Sequence, residues 1–126
     1  LTAENNVVFA FSPSAFSGIC TGELDEIRDH LERFVSDDLQ VVCISSDPVF
    51  SQRAWADQQG YVFPLLSDFW PHGEASKAYG VFIEERGFAT RGTFVIDKEG
   101  VLRWKVINSP GEARSNDDYR AALAAL

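Results

Sequence analysis

Gly92-Thr93-Phe94-Val95-Ile96-Asp97-Lys98-Glu99-Gly100-Val101-Leu102-Arg103-Trp104-Lys105-Val106 sets two runs rich in apolar and β-branched residues on either side of a polar, glycine-ended tetrad. Residues 97–100 make a turn, so the stretch reads as a hairpin of two antiparallel strands, 92–96 and 101–106. Parallel neighbours need a crossover of a dozen or more residues, usually a helix. Four residues are too few for one, and a sheet that is parallel throughout is excluded.

Upstream the pattern changes. Val7-Val8-Phe9-Ala10-Phe11 is a short run of β-branched and aromatic residues, as in a strand covered on both faces, and Ser12-Pro13 ends it. Over 18–36, Leu24, Ile27, Leu31 and Phe34 recur at three- and four-residue steps. Asp25, Glu26, Asp29 and Glu32 fall elsewhere on the wheel, which predicts an amphipathic helix lying on the sheet. Gln40-Val41-Val42-Cys43-Ile44-Ser45 is a second buried strand. Asp47-Pro48 reads as an N-cap followed by proline at the first helical position, opening a helix that runs to Gln59 and closes at Gly60. Residues 61–66 form a short strand that Pro64 restricts to an edge or irregular position. A loop over 67–73, a short helix over 74–79 and a last helix from Asn116 or Asp117 complete the chain.

The early strands, joined by helices, are expected to be parallel, and the hairpin adds antiparallel strands. The reading is an α/β protein with a mixed β-sheet sandwiched by helices, a thioredoxin-like fold. A flavodoxin-like sheet would want another crossover helix where residues 97–100 stand. With 126 residues, 45% of them hydrophobic, a single domain over 1–126 is expected. The chain contains no Met, so Leu1 is read as following an upstream segment rather than starting translation.

Eleven Lys and Arg against nineteen Asp and Glu give a net charge of −8, without a basic cluster. Nucleic acid and anionic membrane surfaces are therefore excluded as expected partners. The longest apolar run, residues 121–126, is far short of the ~20 residues of a membrane span, so a soluble protein is expected, and cysteine usage without a disulfide pattern makes the expectation a cytoplasmic one. Cys20 and Cys43 are separated by 22 intervening residues, not as CxxC, and His30 and His72 add no zinc pattern. A cysteine here either fills the core or does chemistry. Cys43, among Val41, Val42 and Ile44, is read as a small core hydrophobe. His30 is read as solvated, and His72 as a loop or interface residue.

Pro13-Ser14-Ala15-Phe16-Ser17-Gly18-Ile19-Cys20 puts a thiol in the first turn of a helix leaving the C-terminal end of a strand. Functional sites favour that edge. Unpaired N–H groups and the helix dipole there stabilise a thiolate over a thiol. Ser17 can set a hydroxyl beside the sulfur, and Pro13 fixes the chain's exit from the strand.

This P-x-x-x-S-x-x-C run resembles the P-x-x-x-[TS]-x-x-C signature of the peroxiredoxins, the AhpC/TSA-type thiol peroxidases. Phe11-Ser12, Gly22-Glu23-Leu24, Phe63-Pro64-Leu65-Leu66-Ser67-Asp68, Tyr79-Gly80-Val81 and Arg91-Gly92-Thr93-Phe94-Val95-Ile96-Asp97 extend the likeness in family order over nearly the whole chain. Residues 15–20 and 67–73 look most like the one-cysteine, alkyl hydroperoxide reductase E type. The resemblance implies a thiol-dependent peroxidase without metal, haem or flavin. Cys20 would attack hydrogen peroxide, an alkyl hydroperoxide or peroxynitrite and become a sulfenic acid. Ser17 would hydrogen-bond peroxide and thiolate, Arg91 would aim its guanidinium at both, Glu23 would orient Arg91, and Pro13 would shield the site. The acids Glu23, Asp25 and Glu26 oppose thiolate formation, which makes Arg91 the more important. An external thiol, from a glutaredoxin-like or thioredoxin-like protein or a low-molecular-weight thiol, would recycle the enzyme. A homodimer formed by loops near Asp47-Pro48 and Phe69-Trp70 is also implied, although that aromatic loop could equally pack on its own domain.

Three departures from the family pattern stand out. Ser17 replaces the commoner Thr, keeping the hydroxyl but losing a methyl that limits its rotamers. Asp25 occupies the position where some relatives carry a resolving cysteine. The β-rich segment that precedes the first strand in the family is absent. Two rival readings remain: a disulfide oxidoreductase, which lacks its CxxC because Ser17 holds the first position, and a thioredoxin-like redox sensor or partner-binding module without efficient turnover.

Overall fold

The computed structural model describes residues 6–33, 35–36, 39–112 and 121. Five strands form the main sheet: β1 (Asn6–Phe11), β2 (Leu39–Ser45), β3 (Leu65–Ser67), β6 (Arg91–Ile96) and β7 (Leu102–Asn108). Their spatial order is β3-β2-β1-β6-β7. Helix α1 (Gly18–Asp29) carries the chain from β1 to parallel β2, and α2 (Val49–Gln59) carries it from β2 to parallel β3. β6 runs antiparallel to β1, and β7 antiparallel to β6, as the short turn between them requires. Helix α3 (Glu74–Ala78) and a small hairpin of β4 (Phe82–Ile83) and β5 (Phe88–Ala89) lie between β3 and β6 in the chain.

Alternation along β1 divides the core. Val8 and Ala10 join Val41, Cys43 and Val95 on one face, packed with Cys20 and Leu24 of α1, Trp55 of α2, Tyr61 and Phe63. Val7 and Phe11 join Val42, Ile44 and Phe94 on the other, against Val81 and Ala89. Both faces are covered, which is why these strands read as continuous apolar runs.

Three expectations need correction, and one element was not expected. The first helix stops at Asp29 rather than running to Ser36: His30 leaves helical geometry (φ −126°, ψ 39°), and a 3₁₀ turn over Leu31–Arg33 follows. Arg28 Nη1 pins that end to the Gln59 carbonyl at 2.7 Å, and the break lets Leu31 and Val35 pack on the same core as Ile27. Phe34 lies outside the described residues. Asp47 is not the N-cap of α2; Pro48 is, and the Asp47 carboxylate accepts from the Ala15 N–H and the Ser45 hydroxyl instead. The third strand shrinks to Leu65–Ser67, at the sheet edge, because Pro64 has no N–H to pair; its carbonyl accepts from Cys43 N–H. The β4–β5 hairpin was not foreseen, since two-residue strands leave no alternation to read. Of the expected last helix only Ala121 is described, and it is helical.

Gly73, before α3, has φ +76°, and a Cβ there would lie inside the van der Waals envelope of the Phe82 ring. Gly73→Ala is therefore expected to lose roughly 2–5 kcal/mol, the left-handed penalty plus overpacking, toward the lower end because half-buried Phe82 can yield. The urea midpoint at unchanged slope measures it.

Candidate active site

The site is built where β1 ends. Ser12 N–H still pairs with Ile44 O at 2.9 Å, so the strand ladder carries the chain to Pro13, which is buried. Residues 13–17 then turn into α1. Phe16 adopts a left-handed conformation (φ 67°), a cost of about 1–2 kcal/mol for a non-glycine residue. Beside it, Ala15 N–H donates to Asp47 Oδ2 at 2.7 Å, a charge-assisted bond of about 1.5–3 kcal/mol, comparable in size to the strain it offsets. Ser17 is the N-cap of α1, and Cys20 is its third residue, fully buried.

Arg91 reaches the sulfur for topological reasons. β6 is antiparallel to β1, with Ala10 opposite Thr93, so the start of β6 lies at the end of β1. Arg91, Thr93 and Val95 alternate with Gly92 and Phe94, which puts Arg91 on the face that Val95 shares with Cys20. The guanidinium is 2% exposed, and each of its contacts fixes it. Nη1 donates to Cys20 Sγ at 3.2 Å and to Glu23 Oε1 at 2.5 Å, and Nε donates to Pro110 O at 2.9 Å. Glu23, one helical turn after Cys20, is 10% exposed. Sulfur, guanidinium and carboxylate thus form one buried polar unit. A cation donor at this distance interacts more strongly with a thiolate than with a thiol.

Ser17 is placed differently from the expected role. Its hydroxyl donates to Ser14 O at 3.1 Å, leaving its lone pairs to accept rather than its proton to give. A second set of contacts grips the first turns of α1. Trp55 Nε1 donates to Thr21 Oγ1 at 3.2 Å, and Tyr61 OH donates to Asp25 Oδ1 at 2.7 Å. Trp55 stands edge-on to Tyr61, which stacks on Phe63. Sequence reading missed Asp47, Trp55, Tyr61 and the Pro110 carbonyl; only Asp47 had carried a signal, and that signal was read as a cap.

Burial, and then the Asp25 hydrogen bond, push the Tyr61 phenol well above its usual value near 10. The neutral form is favoured in the fold, so its contribution is complete below pH about 10 and is lost as pH rises beyond it. Tyr61→Phe is expected to flatten the alkaline decline in stability while costing about 1 kcal/mol at neutral pH. Urea titrations of both proteins across that range check the difference in slope.

Among the described residues, no three His, Cys, Asp or Glu side chains assemble as a metal-ligand set, and no helix is long and apolar enough to cross a membrane. His30 is the C-cap of α1, while His72 faces the carbonyls of Phe69 and Gly87. Cys43 is buried in β2.

The chain is similar to known proteins over most of its length. The AhpC/TSA family matches residues 2–105. Alkyl hydroperoxide reductase E of Mycobacterium tuberculosis is 53% identical over 121 residues, covering 96% of this chain and 79% of the relative. The chloroplastic 2-Cys peroxiredoxin BAS1 of Hordeum vulgare is 35% identical, over 95% of this chain and 60% of its own. The crystal structure of Enterococcus faecalis AhpC superposes with a TM-score of 0.87 at 30% identity, covering 96% of this chain and 74% of that one. The fold is the thioredoxin fold of those neighbours. With a thiol at the head of α1, a buried arginine on its sulfur and relatives of this closeness, the chain belongs to the AhpC/TSA family of peroxiredoxins.

Proposed function

We propose that this chain is a thiol-dependent peroxidase of the one-cysteine kind, acting as a single domain. The observation that carries the reading is the hydrogen bond from fully buried Arg91 to Cys20 Sγ. Cys20 thiolate attacks one oxygen of a hydroperoxide, the O–O bond breaks, and the displaced alkoxide or hydroxide takes a proton to leave as alcohol or water. Sulfur is oxidised by two electrons to the sulfenic acid, and the peroxide is reduced by the same two. Two external thiols then return the sulfenic acid to thiol, releasing a disulfide and water. Hydrogen peroxide, alkyl hydroperoxides and peroxynitrite share the reactive O–O bond. The reductant is a glutaredoxin-like or thioredoxin-like protein or a low-molecular-weight thiol.

Thiolate supply alone does not reach peroxidase rates. For any cysteine, moving the pKa from ~8.5 to ~6 multiplies the thiolate fraction at pH 7 only about 30-fold. The remainder comes from donors that hold both peroxide oxygens in line with the sulfur. Arg91 supplies them, Glu23 holds Arg91 in place, the Ser17 oxygen accepts from the peroxide O–H, and Pro13 keeps water out. Cytoplasmic residence fits two cysteines without a disulfide. A homodimer fits the apolar surface at the same edge, where Phe50 and Trp70 are 85% and 84% exposed and Phe69 and Val49 are exposed beside them.

A stopped-flow mix of reduced protein with one equivalent of peroxide, followed by Trp fluorescence and intact mass, tests the reading. Oxidation orders of magnitude faster than free cysteine, with one oxygen added, supports it. Oxidation no faster than free cysteine in folded protein sinks it, and absence of turnover with excess thiol turns the chain into a sensor.

A further inference from the structure

We infer that Asp47 is a positioning residue for the peroxidase reaction, holding the loop 13–17 in the strained shape that presents Ser17 and Cys20. The inference rests on the peroxidase reading above. One carboxylate oxygen, Oδ2, accepts both the Ala15 N–H and the Ser45 hydroxyl, each at 2.7 Å. The direction of that hydroxyl is fixed, because Ser45 Oγ itself accepts from Gln52 Nε2 at 3.0 Å, and the same nitrogen donates to Leu66 O at 2.7 Å. The Asp47 backbone is held too, since its carbonyl accepts from Ser67 Oγ at 2.7 Å. A polar chain therefore runs from the edge strand β3 through α2 and β2 and terminates on the active-site loop. Gln52 in the middle is 3% exposed, so the chain is shielded from competing water.

The residue after Ala15 is Phe16, at φ 67°. A non-glycine residue stays in that region only while its surroundings over-determine it. Asp47 supplies the anchor on one side and the start of α1 the other; the Phe16 ring, against Trp55 at 6.2 Å, only leans on the structure. Without the anchor Phe16 relaxes, and Ser17, its neighbour, shifts with it. Arg91, Glu23 and Cys20 Sγ share no bond with Asp47. Loss of Asp47 should thus spoil alignment, while the loss of its negative charge, common to the Ala and Asn variants, can only favour the thiolate and so cannot itself slow oxidation.

The test compares Asp47→Ala, Asp47→Asn and Ser45→Ala with the wild-type chain. Two quantities are read on each: the second-order rate of oxidation by hydrogen peroxide, and the pH titration of the Cys20 thiolate by its ultraviolet absorbance against a Cys20→Ser blank. Asp47→Ala is expected to slow oxidation roughly 10–100-fold, as a misplacement of about 1 Å would, with a thiolate titration that matches that of Asp47→Asn. Asn keeps an oxygen in the accepting position, so Asp47→Asn should stay within about 3-fold of wild type. Ser45→Ala should fall between them. If Asp47→Ala does not fold, the contrast between Asp47→Asn and Ser45→Ala carries the test. Oxidation of folded Asp47→Ala within about 3-fold of wild type overturns the inference, and so does a loss of thiolate in that variant large enough to account for the lost rate. Slow oxidation of the wild-type chain instead brings down the peroxidase reading itself.

Discussion

Arg91→Met is expected to slow oxidation of Cys20 by roughly 10²–10³-fold and to lower stability by about 3–5 kcal/mol. The two losses have different origins. The kinetic loss is that of a charged donor aimed where negative charge moves as the O–O bond stretches, beyond any change in thiolate fraction. The stability loss comes from the broken pair: Glu23, which is 10% exposed, would lose the guanidinium that faces its carboxylate beside a buried sulfur. Glu23→Gln added to Arg91→Met removes that charge, so the double variant should recover most of the stability and none of the rate. Arg91→Lys is a sharper version of the same test. An ammonium is a point donor on a flexible stem and cannot serve Sγ, Glu23 Oε1 and Pro110 O from one rigid plane. It should keep the fold and still lose roughly 10–10²-fold in rate. A double variant as fast as wild type would remove Arg91 from the chemistry.

That Arg91 and Glu23 could be named from sequence, while their third partner could not, shows where legibility ends. A motif carries side chains, so Arg91 and Glu23 came with the family resemblance; the hairpin at 92–106 made only its own two strands antiparallel, and it is the pairing of β6 with β1 that brings the start of β6 to Cys20. The Pro110 carbonyl is a backbone group and has no residue signature. Asp47 did have one, since Asp-Pro before a helical run ordinarily means a cap. What redirected it is an N–H 32 residues away, on a loop whose left-handed Phe16 no propensity would place there. The break at His30 was hidden for a related reason: Leu31 and Val35 still pack on the core, so the apolar periodicity runs on past the end of the helix. The central strands β1 and β2 were the most legible part, because both faces of the sheet are covered there and the runs 7–11 and 41–44 are apolar throughout.

Cys20→Ser is expected to abolish peroxide reduction, a loss on the order of 10⁴-fold or more, while leaving the fold within about 1 kcal/mol of wild type. The substitution is nearly isosteric, and a serine oxygen can accept from Arg91 Nη1 as the sulfur does, so the buried guanidinium keeps its contacts. What disappears is the nucleophile: a serine hydroxyl does not ionise near neutral pH, and oxygen attacks a peroxide oxygen far less readily than sulfur. Cys43→Ala supplies the contrast. Cys43 sits in mid-strand, 3% exposed and opposite Leu65, where a smaller side chain should cost about 1–2 kcal/mol of packing. Its oxidation by peroxide, read by the same fluorescence change and the same one-oxygen gain in mass, should match wild type. The pair separates chemistry from packing in both directions, since the first variant loses rate without stability and the second loses stability without rate. A Cys20→Ser chain that still gains one oxygen as fast as wild type would move the reaction to another residue, with Cys43 the first to examine.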